Sequence, residues 1–189
     1  MISPTPEPRF HVITGGPGSG KSTLIDALRA AGHAVVAEAG RAVIREQGAA
    51  GGDALPWMDR VAFARAMLAR DLAAFRDAEG ETFFDRGIPD IQGYLHLIGE
   101  APLAEVDAAV RTCRYAGTIF IAPPWREIFV QDAERRQDFA EACRTCDAMR
   151  IVYARAGYDL IELPLASVEA RLAFVLDCLG GRQGTQSLS

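Results

Sequence analysis

The segment from Gly15 to Ser22 limits the possible folds of this chain more than any other feature. It reads Gly-Gly-Pro-Gly-Ser-Gly-Lys-Ser and matches the pattern G-x-x-x-x-G-K-[ST] at every fixed position. An apolar run typical of a buried strand, Phe10–Thr14, precedes it, and Ser22–Ala31 follows with leucine and isoleucine at helical spacing. A glycine loop between a strand and a helix presents successive backbone N–H groups to one anion. The sequence therefore predicts a P-loop, the phosphate-binding loop of many nucleotide-binding proteins.

Each residue type in this loop suits the binding of a triphosphate. Glycine lets the backbone approach the phosphate oxygens closely, and the Lys21 ammonium is a compact charge for the β and γ phosphates. The Ser22 hydroxyl can join the shell of a Mg²⁺ ion. We therefore expect ATP and Mg²⁺ as cofactors. The residues expected to bind the nucleotide are Gly15, Gly16, Pro17, Gly18, Ser19, Gly20, Lys21, Ser22, Thr23 and, from a later segment, Arg126.

The lysine content of the chain makes ATP the preferred nucleotide. A dinucleotide-binding fingerprint read from Gly16 needs glycine at the position of Lys21. A GTPase normally reads guanine with an Asn-Lys-x-Asp motif, but 19 of the 20 basic residues are arginine and Lys21 is the only lysine. Both alternatives are therefore disfavoured.

Strand-like and helix-like patterns alternate along the chain, which predicts a three-layer α/β fold with five parallel strands and helices on both faces. The expected strands are Phe10–Thr14, His33–Ala37, Glu81–Phe84, Thr118–Ala122 and Leu160–Leu163. The expected helices are Ser22–Ala31, Gly40–Gln47, a long helix from Trp57 to near Gly80, Asp90–Ile98, Leu103–Arg114, Gln137–Ala156 and Ser167–Leu179. We expect one domain over residues 1–180, with a lid at about 125–140, and a flexible tail at 181–189.

Charge and hydropathy disfavour several functions. The formal net charge is −5, whereas nucleic-acid-binding proteins usually carry a basic patch or stripe. No apolar run reaches the length of a membrane span, and the first nine residues are too polar and proline-rich for a signal peptide. We expect a cytoplasmic protein whose partners are ATP and a small-molecule acceptor, without nucleic acid or membrane. Whether it forms a homodimer is left open.

An acidic and a basic residue end the third predicted strand. A carboxylate at the end of a buried strand beside a P-loop typically holds Mg²⁺, and Asp85 has this position; the alternative is that it caps the following turn. ATP-driven motors usually have a glutamate next, which activates water, but this chain has Arg86. Arginine suits the stabilisation of a transferred phosphoryl group. The pair favours transfer to an acceptor over motor activity.

Residues after the second predicted strand are candidates for acceptor binding. Glu38 could accept the proton of an acceptor hydroxyl, while Arg41 could bind an anionic part of the acceptor. The alternative is a surface ion pair between Glu38 and Arg41. Trp57 could stack on a flat acceptor, but its place at the apolar face of the long helix favours a role as a core anchor.

The segment after the fourth predicted strand is rich in charge, with Arg126, Asp132, Glu134, Arg135 and Arg136. Such a segment could be a lid that closes arginines over the phosphates and excludes water. An ordinary solvated run of charges is the alternative.

The chain resembles a known family in several motifs besides the P-loop. These motifs are Thr14–Thr23, Glu38–Arg41, Leu55–Trp57, Phe84–Asp90, Pro123–Arg126, Glu134–Arg136 and Gly157-Tyr158. From Val12 to Leu179 the chain resembles the NadR-like AAA domain family of small P-loop ATPases and kinases. This resemblance implies a nucleoside-kinase-like core with strand order 2-3-1-4-5, and some relatives phosphorylate nucleosides of the ribosyl-nicotinamide type. It also implies that Glu38 lies near the proposed base, that Arg135 and Arg136 are lid arginines, and that adenine binds near Pro164–Ser167.

Two functional hypotheses follow. The first is an ATP- and Mg²⁺-dependent kinase that phosphorylates a small hydroxylic, nucleoside-like acceptor. Its expected catalytic residues are Lys21, Glu38, Asp85, Arg86, Arg135 and Arg136, with Ser22 and Asp85 as metal ligands. The second is a slow ATPase that acts as a nucleotide-sensing switch for a protein partner.

Overall fold

Five strands and seven helices alternate along the described part of the computed structural model, which covers residues 9–129 and 138–183. The strands are β1 (Phe10–Gly15), β2 (Ala34–Val36), β3 (Thr82–Asp85), β4 (Thr118–Ala122) and β5 (Asp159–Glu162). The helices are α1 (Lys21–Ala30), α2 (Ala39–Ala50), α3 (Arg60–Asp77), α4 (Ile88–Leu97), α5 (Ala104–Thr112), α6 (Phe139–Arg155) and α7 (Val168–Gln183). Within these ranges, no helix is both long and apolar enough to cross a membrane.

The strands form one parallel sheet in the order β2-β3-β1-β4-β5. This confirms the predicted α/β fold and strand order. The register places Ile13 beside Asp85 and Gly15 beside Ala122, so β1, β3 and β4 end at the same edge. In open α/β sheets ligands bind outside the carboxyl ends of the strands. The segments that follow β1 and β3 therefore lie where a ligand is expected.

Helices cover both faces of the sheet, because its central strands are apolar on both sides. On one face Val12 and Phe84 pack with residues of α3, α4 and α6 in a large core cluster. On the other face Ile13 and Phe83 pack with residues of α1 and α7. All four side chains are at most 1% exposed. The two cores hold β1 and β3 firmly behind the loops that follow them.

Several predicted boundaries differ from those in the structure. The long helix begins at Arg60, where the Asp59 side chain accepts a hydrogen bond from the Ala62 N–H (2.8 Å) and caps the helix. Trp57 lies in the turn before it and is 66% exposed, so the prediction of a core anchor is wrong. α7 continues to Gln183 and includes the first three residues of the predicted tail. Residues 184–189 lie outside the described residues.

Gly15 allows a test of the close approach between β1 and β4. It has φ = 134°, and a Cβ atom there would lie 2.2 Å from the Ala122 carbonyl oxygen. We expect Gly15→Ala to lower the free energy of unfolding by about 2–4 kcal/mol, from backbone strain and overpacking. Gly117→Ala is the control, since no heavy atom lies within 4 Å of the added Cβ. Urea denaturation measures both, and equal effects would contradict the close approach.

Candidate active site

The glycine loop connects β1 to α1 at the ligand edge of the sheet. A Cβ atom on Gly16 would lie 2.2 Å from the Ala142 carbonyl oxygen of α6, so the loop is clamped between two backbone segments. Gly20 precedes α1 with φ = 76°, a left-handed conformation that favours glycine. The N–H groups of the first turn of α1 have no partners inside the helix and carry the positive end of its dipole. The loop therefore has the geometry of an anion-binding site.

Lys21 is folded back into this loop. Its Nζ atom donates to the Gly16 carbonyl oxygen (2.5 Å) and to Ser19 Oγ (3.2 Å), and the residue is 6% exposed. Burial, followed by the charge of Arg86, lowers the pKa of Lys21 to about 8, while Asp85 and nearby carboxylates act in the opposite direction. The ammonium group is thus held at the centre of the loop by partners that an anion can replace.

Asp85 ends β3 beside the loop. Its Oδ1 atom is buried and has no hydrogen-bond partner among residues 9–129 and 138–183. Burial and then the charge of Glu38 raise the pKa of Asp85, against opposing effects of Lys21 and Arg86. No hydrogen bond from the following turn reaches the carboxylate in this part of the chain, which argues against the alternative role as a turn cap. A buried carboxylate oxygen without a donor is what a cation site requires, and Asp85 and Ser22 border the same small pocket.

Arg86 bridges two carboxylates. Its Nε atom lies 3.2 Å from Glu38 Oε1, and one Nη atom lies 2.7 Å from Asp90 Oδ1. Among the described residues it is the only non-glycine residue with positive φ (71°). Such a conformation costs about 1–3 kcal/mol and persists only where surrounding contacts enforce it. The two ion pairs and the hydrogen bond from the Arg86 N–H to the Ile13 carbonyl oxygen (3.0 Å) provide that enforcement.

Glu38 is an ionised group at the start of α2. Besides Arg86, it accepts a hydrogen bond from Arg41 Nε (3.0 Å). Burial would raise the pKa of Glu38, but Arg86, Lys21 and Arg41 outweigh it, and the pKa is lowered. The predicted alternative, an ion pair with Arg41, is therefore present, but Glu38 is only 22% exposed and faces the cleft rather than bulk solvent.

Asp90 organises the site, although the sequence reasoning assigned it no role. Its Oδ1 atom accepts from Thr14 Oγ1 (2.6 Å) and from Arg86, and its Oδ2 atom accepts from the Gly87 N–H (3.1 Å) and the Tyr153 hydroxyl (2.7 Å). β1, the segment after β3, α4 and α6 are thereby joined at one carboxylate. The available signal was its spacing from Gly87, since an acidic residue three positions after the N-cap is typical of a capping box.

Two further residues of the cleft were missed. Asp71 of α3 lines the cleft and is described below. Arg171 of α7 is 2% exposed and donates to the Pro164 carbonyl oxygen through Nε (2.8 Å) and to the Ser19 carbonyl oxygen through an Nη atom (2.7 Å). It thereby ties the loop after β5 to the P-loop. No local pattern distinguishes either residue from other charged residues of an amphipathic helix.

The predicted lid is described only at its two ends. Arg126 lies in a 3₁₀ turn with its guanidinium 4.1 Å from the centre of the Phe139 ring, whereas the neighbouring Trp125 and Ile128 line the cleft. Arg135 and Arg136 lie outside the described residues. Of the residues expected to bind nucleotide, Pro17 to Thr23 line the cleft.

One continuous cleft of about 1510 Å³ contains these groups. Ligand pockets usually measure about 300–1,000 Å³, so this cleft has room for two ligands. Its lining combines the P-loop, Trp125 and the loop before α7 with side chains of α3 and α4 together with Trp57. Because α1 and α7 pack on one face of the sheet and α3 and α4 on the other, the cleft has a P-loop side and a second side. Lys21, Glu38 and Arg86 line the same cleft, and the charge of Glu38 acts on both Lys21 and Asp71.

A parallel sheet of this order with a glycine loop of this geometry defines a kinase-like P-loop nucleotide-binding protein. A sequence model of the family described as "AAA domain" matches residues 10–171. The chain therefore belongs to that family. No significant match to a curated protein sequence was found.

Solved structures of several kinases share the fold. Thymidylate kinase from Ehrlichia chaffeensis matches with a TM-score of 0.62 and 16% identity, over 92% of this chain and 100% of that chain. Deoxyadenosine kinase from M. mycoides matches with a TM-score of 0.60 and 11% identity, over 91% and 98%. Shikimate kinase from Acinetobacter baumannii matches with a TM-score of 0.58 and 13% identity, over 92% and 93%. At these identities the likeness shows the fold alone.

The same substitution should have opposite effects on stability at Asp90 and Asp71. Asp90→Asn removes a negative charge from Arg86 and turns an acceptor into a donor, so we expect the free energy of unfolding to fall by about 2–4 kcal/mol.

Burial, followed by the charges of Asp90 and Glu38, raises the pKa of Asp71 to about 8, against the effect of Arg70. Below its unfolded pKa Asp71 is protonated in both states, and the stability that it contributes there is lost as pH rises through its folded pKa.

Asp71→Asn should therefore raise the free energy of unfolding at pH 7, on the order of 1–3 kcal/mol, and by less at pH 5. Urea denaturation at both pH values measures the change. The control is Asp77→Asn, which makes the same replacement at an exposed position of the same helix. A loss of stability in Asp71→Asn, or a gain that is the same at both pH values, would contradict the assignment.

Proposed function

We propose that this protein transfers the γ-phosphoryl group of ATP to a hydroxyl group of a small, nucleoside-like acceptor. The observation that carries the proposal is the position of the ionised Glu38 carboxylate, between the P-loop and a second half of the cleft large enough for another ligand. A nucleotide-binding protein that only hydrolyses ATP does not need this second chamber. The slow ATPase switch inferred from the sequence remains as an outcome of the test.

In this proposal the P-loop and Lys21 bind the triphosphate. The phosphate oxygens take the place of the Gly16 carbonyl as partners of the Lys21 ammonium, and the N–H groups at the start of α1 bind them as well. The adenine would lie near residues 164–167, where Ala166 and Ser167 line the cleft. The lid arginines Arg135 and Arg136 would close over the phosphates and exclude water.

The donor set beside the loop suits Mg²⁺. The unpartnered Oδ1 atom of Asp85 and the hydroxyl of Ser22 are hard oxygen ligands of the type that this ion prefers. When bound, the ion would neutralise charge on the β- and γ-phosphate oxygens.

Glu38 would accept the proton of the acceptor hydroxyl. The hydroxyl oxygen then forms a bond to the γ phosphorus, the bond from that phosphorus to the β–γ bridging oxygen breaks, and ADP leaves. Arg86 would act differently from the sequence expectation. Its Nε and one Nη atom are occupied by Glu38 and Asp90, which suits a residue that orients the base and keeps it ionised more than one that reaches the phosphoryl group.

A flat ring on the acceptor agrees with the second half of the cleft. Trp57 is exposed at its rim, where an indole can stack on a ring, and Phe63 and Tyr94 line the wall. The named kinases of similar fold act on different acceptors, so they do not select one. The NadR-like resemblance favours a nucleoside, including the ribosyl-nicotinamide type.

Variants of Lys21 and Glu38 separate ATP binding from transfer. We expect Lys21→Ala to abolish transfer and weaken ATP binding. Glu38→Gln should retain ATP affinity and lower acceptor-dependent turnover by about 10²–10⁴-fold, because the amide cannot take the proton. Glu79→Gln, which makes the same replacement at an exposed position outside the cleft, is the control.

The assay measures ATP consumption and phosphorylated product with and without pooled nucleosides, sugars and other hydroxylic metabolites. Stimulation by an acceptor supports transfer. Turnover at the wild-type level in Lys21→Ala, or ATP hydrolysis that no hydroxylic acceptor stimulates, would reject the proposal; stimulation only by a protein would favour the switch.

A further inference from the structure

The half of the cleft that faces away from the P-loop is an apolar chamber with few polar groups. We call it the acceptor chamber and define it by the side chains that line it: Trp57, Phe63, Met67, Asp71, Ile91 and Tyr94. Phe63 and Tyr94 meet edge to face, with ring centroids 5.5 Å apart. Walls of this kind bind a flat, mainly apolar ring, and the few polar groups select its orientation.

Asp71 and Tyr94 of this chamber have polar groups without hydrogen-bond partners in the described part of the chain. The Asp71 carboxyl group makes no hydrogen bond or ion pair with any residue in 9–129 or 138–183. The Tyr94 hydroxyl is buried and, over the same residues, also has no hydrogen-bond partner. Burial raises the pKa of Tyr94 to about 12, so its hydroxyl remains a donor. A buried hydroxyl group without a partner is rare in folded proteins. The Tyr94 hydroxyl, in the same cleft as the half-buried Asp71 carboxyl group, therefore indicates a ligand that bonds to both.

The charges around Asp71 favour its neutral form. The charges of Asp90, from α4, and of Glu38, from the start of α2, act on it, and both side chains are paired with Arg86. The phenol of Tyr115 also interacts with it. The adjacent cation, Arg70, is paired with Glu46. A carboxyl group near two carboxylates and without its own cation takes up a proton.

A neutral carboxyl group offers an O–H donor beside a carbonyl acceptor, whereas an ionised one only accepts. The neutral form therefore pairs with a ring edge that also presents a donor beside an acceptor, as amide and amidine edges of nucleobases do. An anionic group on the acceptor would gain nothing from Asp71, and its partners would be the arginines of the cleft, such as Arg41 and Arg144. A polyhydroxyl acceptor would leave the aromatic walls without a ring to contact.

We propose that Asp71 is the specificity-determining residue of the acceptor site, and that in its protonated form it reads an amide or amidine edge of a nucleoside acceptor. This inference rests on the proposed phosphotransferase function and narrows its substrate class. It places the nucleobase of the acceptor in the acceptor chamber and the reacting hydroxyl group near Glu38.

The test compares two Asp71 variants with matched nucleosides. Uridine, cytidine, adenosine and inosine are the probes, each beside a derivative methylated on the nitrogen of the edge. Asp71→Asn keeps a donor beside an acceptor, whereas Asp71→Leu keeps neither. Asp77→Asn controls for the change of charge on α3. Thermal unfolding checks that each variant is folded, and the methylated probes test the edge in the wild-type protein without any substitution.

We expect ATP-dependent phosphorylation of at least one nucleoside, with kcat/KM about 30-fold or more lower for its methylated derivative. Asp71→Asn should stay within about 5-fold of the wild type at pH 7, while Asp71→Leu should raise KM about 30-fold or more with a smaller change in kcat. Above pH 8 the KM of the wild type should rise, because Asp71 ionises, and that of Asp71→Asn should not.

Three results overturn the inference, and only the last also removes the proposed function. Equal losses in Asp71→Asn and Asp71→Leu would show that a charged carboxylate is required, as for a cationic acceptor. Phosphorylation of shikimate or sugar alcohols but of no nucleoside would leave a phosphotransferase with another acceptor class. ATP consumption that no hydroxylic acceptor stimulates would reject both.

Discussion

The ion-pair chain from Glu38 through Arg86 to Asp90 is the interaction on which the rest of the site depends. Asp90 is 6% exposed and receives four hydrogen bonds, from side chains or backbone of β1, the segment after β3, the start of α4, and α6. A buried carboxyl group with this number of donors fixes the elements that provide them. Arg86 connects Asp90 to Glu38, because the same guanidinium group contacts both side chains.

The strained backbone of Arg86 belongs to the same arrangement. A residue that directly follows β3 would normally continue in an extended or helical conformation, and its side chain would leave the sheet in another direction. At φ = 71° the guanidinium instead reaches both carboxylates. The two buried ion pairs offset the free-energy cost of this backbone conformation. Strained residues of this kind persist only where surrounding contacts hold them, and they concentrate at functional sites.

The sequence predicted the fold well because the fold depends on local patterns. The loop from Gly15 to Ser22 needs a strand before it and a helix after it, and the alternation of apolar runs with helical periodicity leaves a parallel sheet as the simple solution. The residues at which helices begin and end were predicted less accurately. Trp57 continues the spacing of the α3 apolar face by coincidence, and only the cap at Asp59, which depends on the path of the preceding turn, starts the helix later.

The residues that the sequence missed act through contacts between distant elements. Asp71 and Arg171 are charged residues on amphipathic helices, where most charged residues face solvent. Their roles arise because α3 and α7 pack against segments far away in the chain: Arg171 lies 2.7 Å from the carbonyl oxygen of Ser19. Periodicity indicates which face of a helix is apolar, but it does not indicate which polar residue at the border of that face meets a cavity.

The charges around Glu38 and Asp71 shift the pKa values of these two neighbouring carboxyl groups in opposite directions. Glu38 has Arg86 and Arg41 as partners, which lower its pKa, while Asp90 accepts hydrogen bonds from Arg86 and three neutral donors. Asp71 makes no ion pair with these arginines, and burial together with the negative charges of Asp90 and Glu38 raises its pKa. One cleft thus has a carboxylate that can accept a proton and a carboxyl group that can donate a hydrogen bond. Titratable groups in one site whose environments shift their pKa values apart can take different chemical roles.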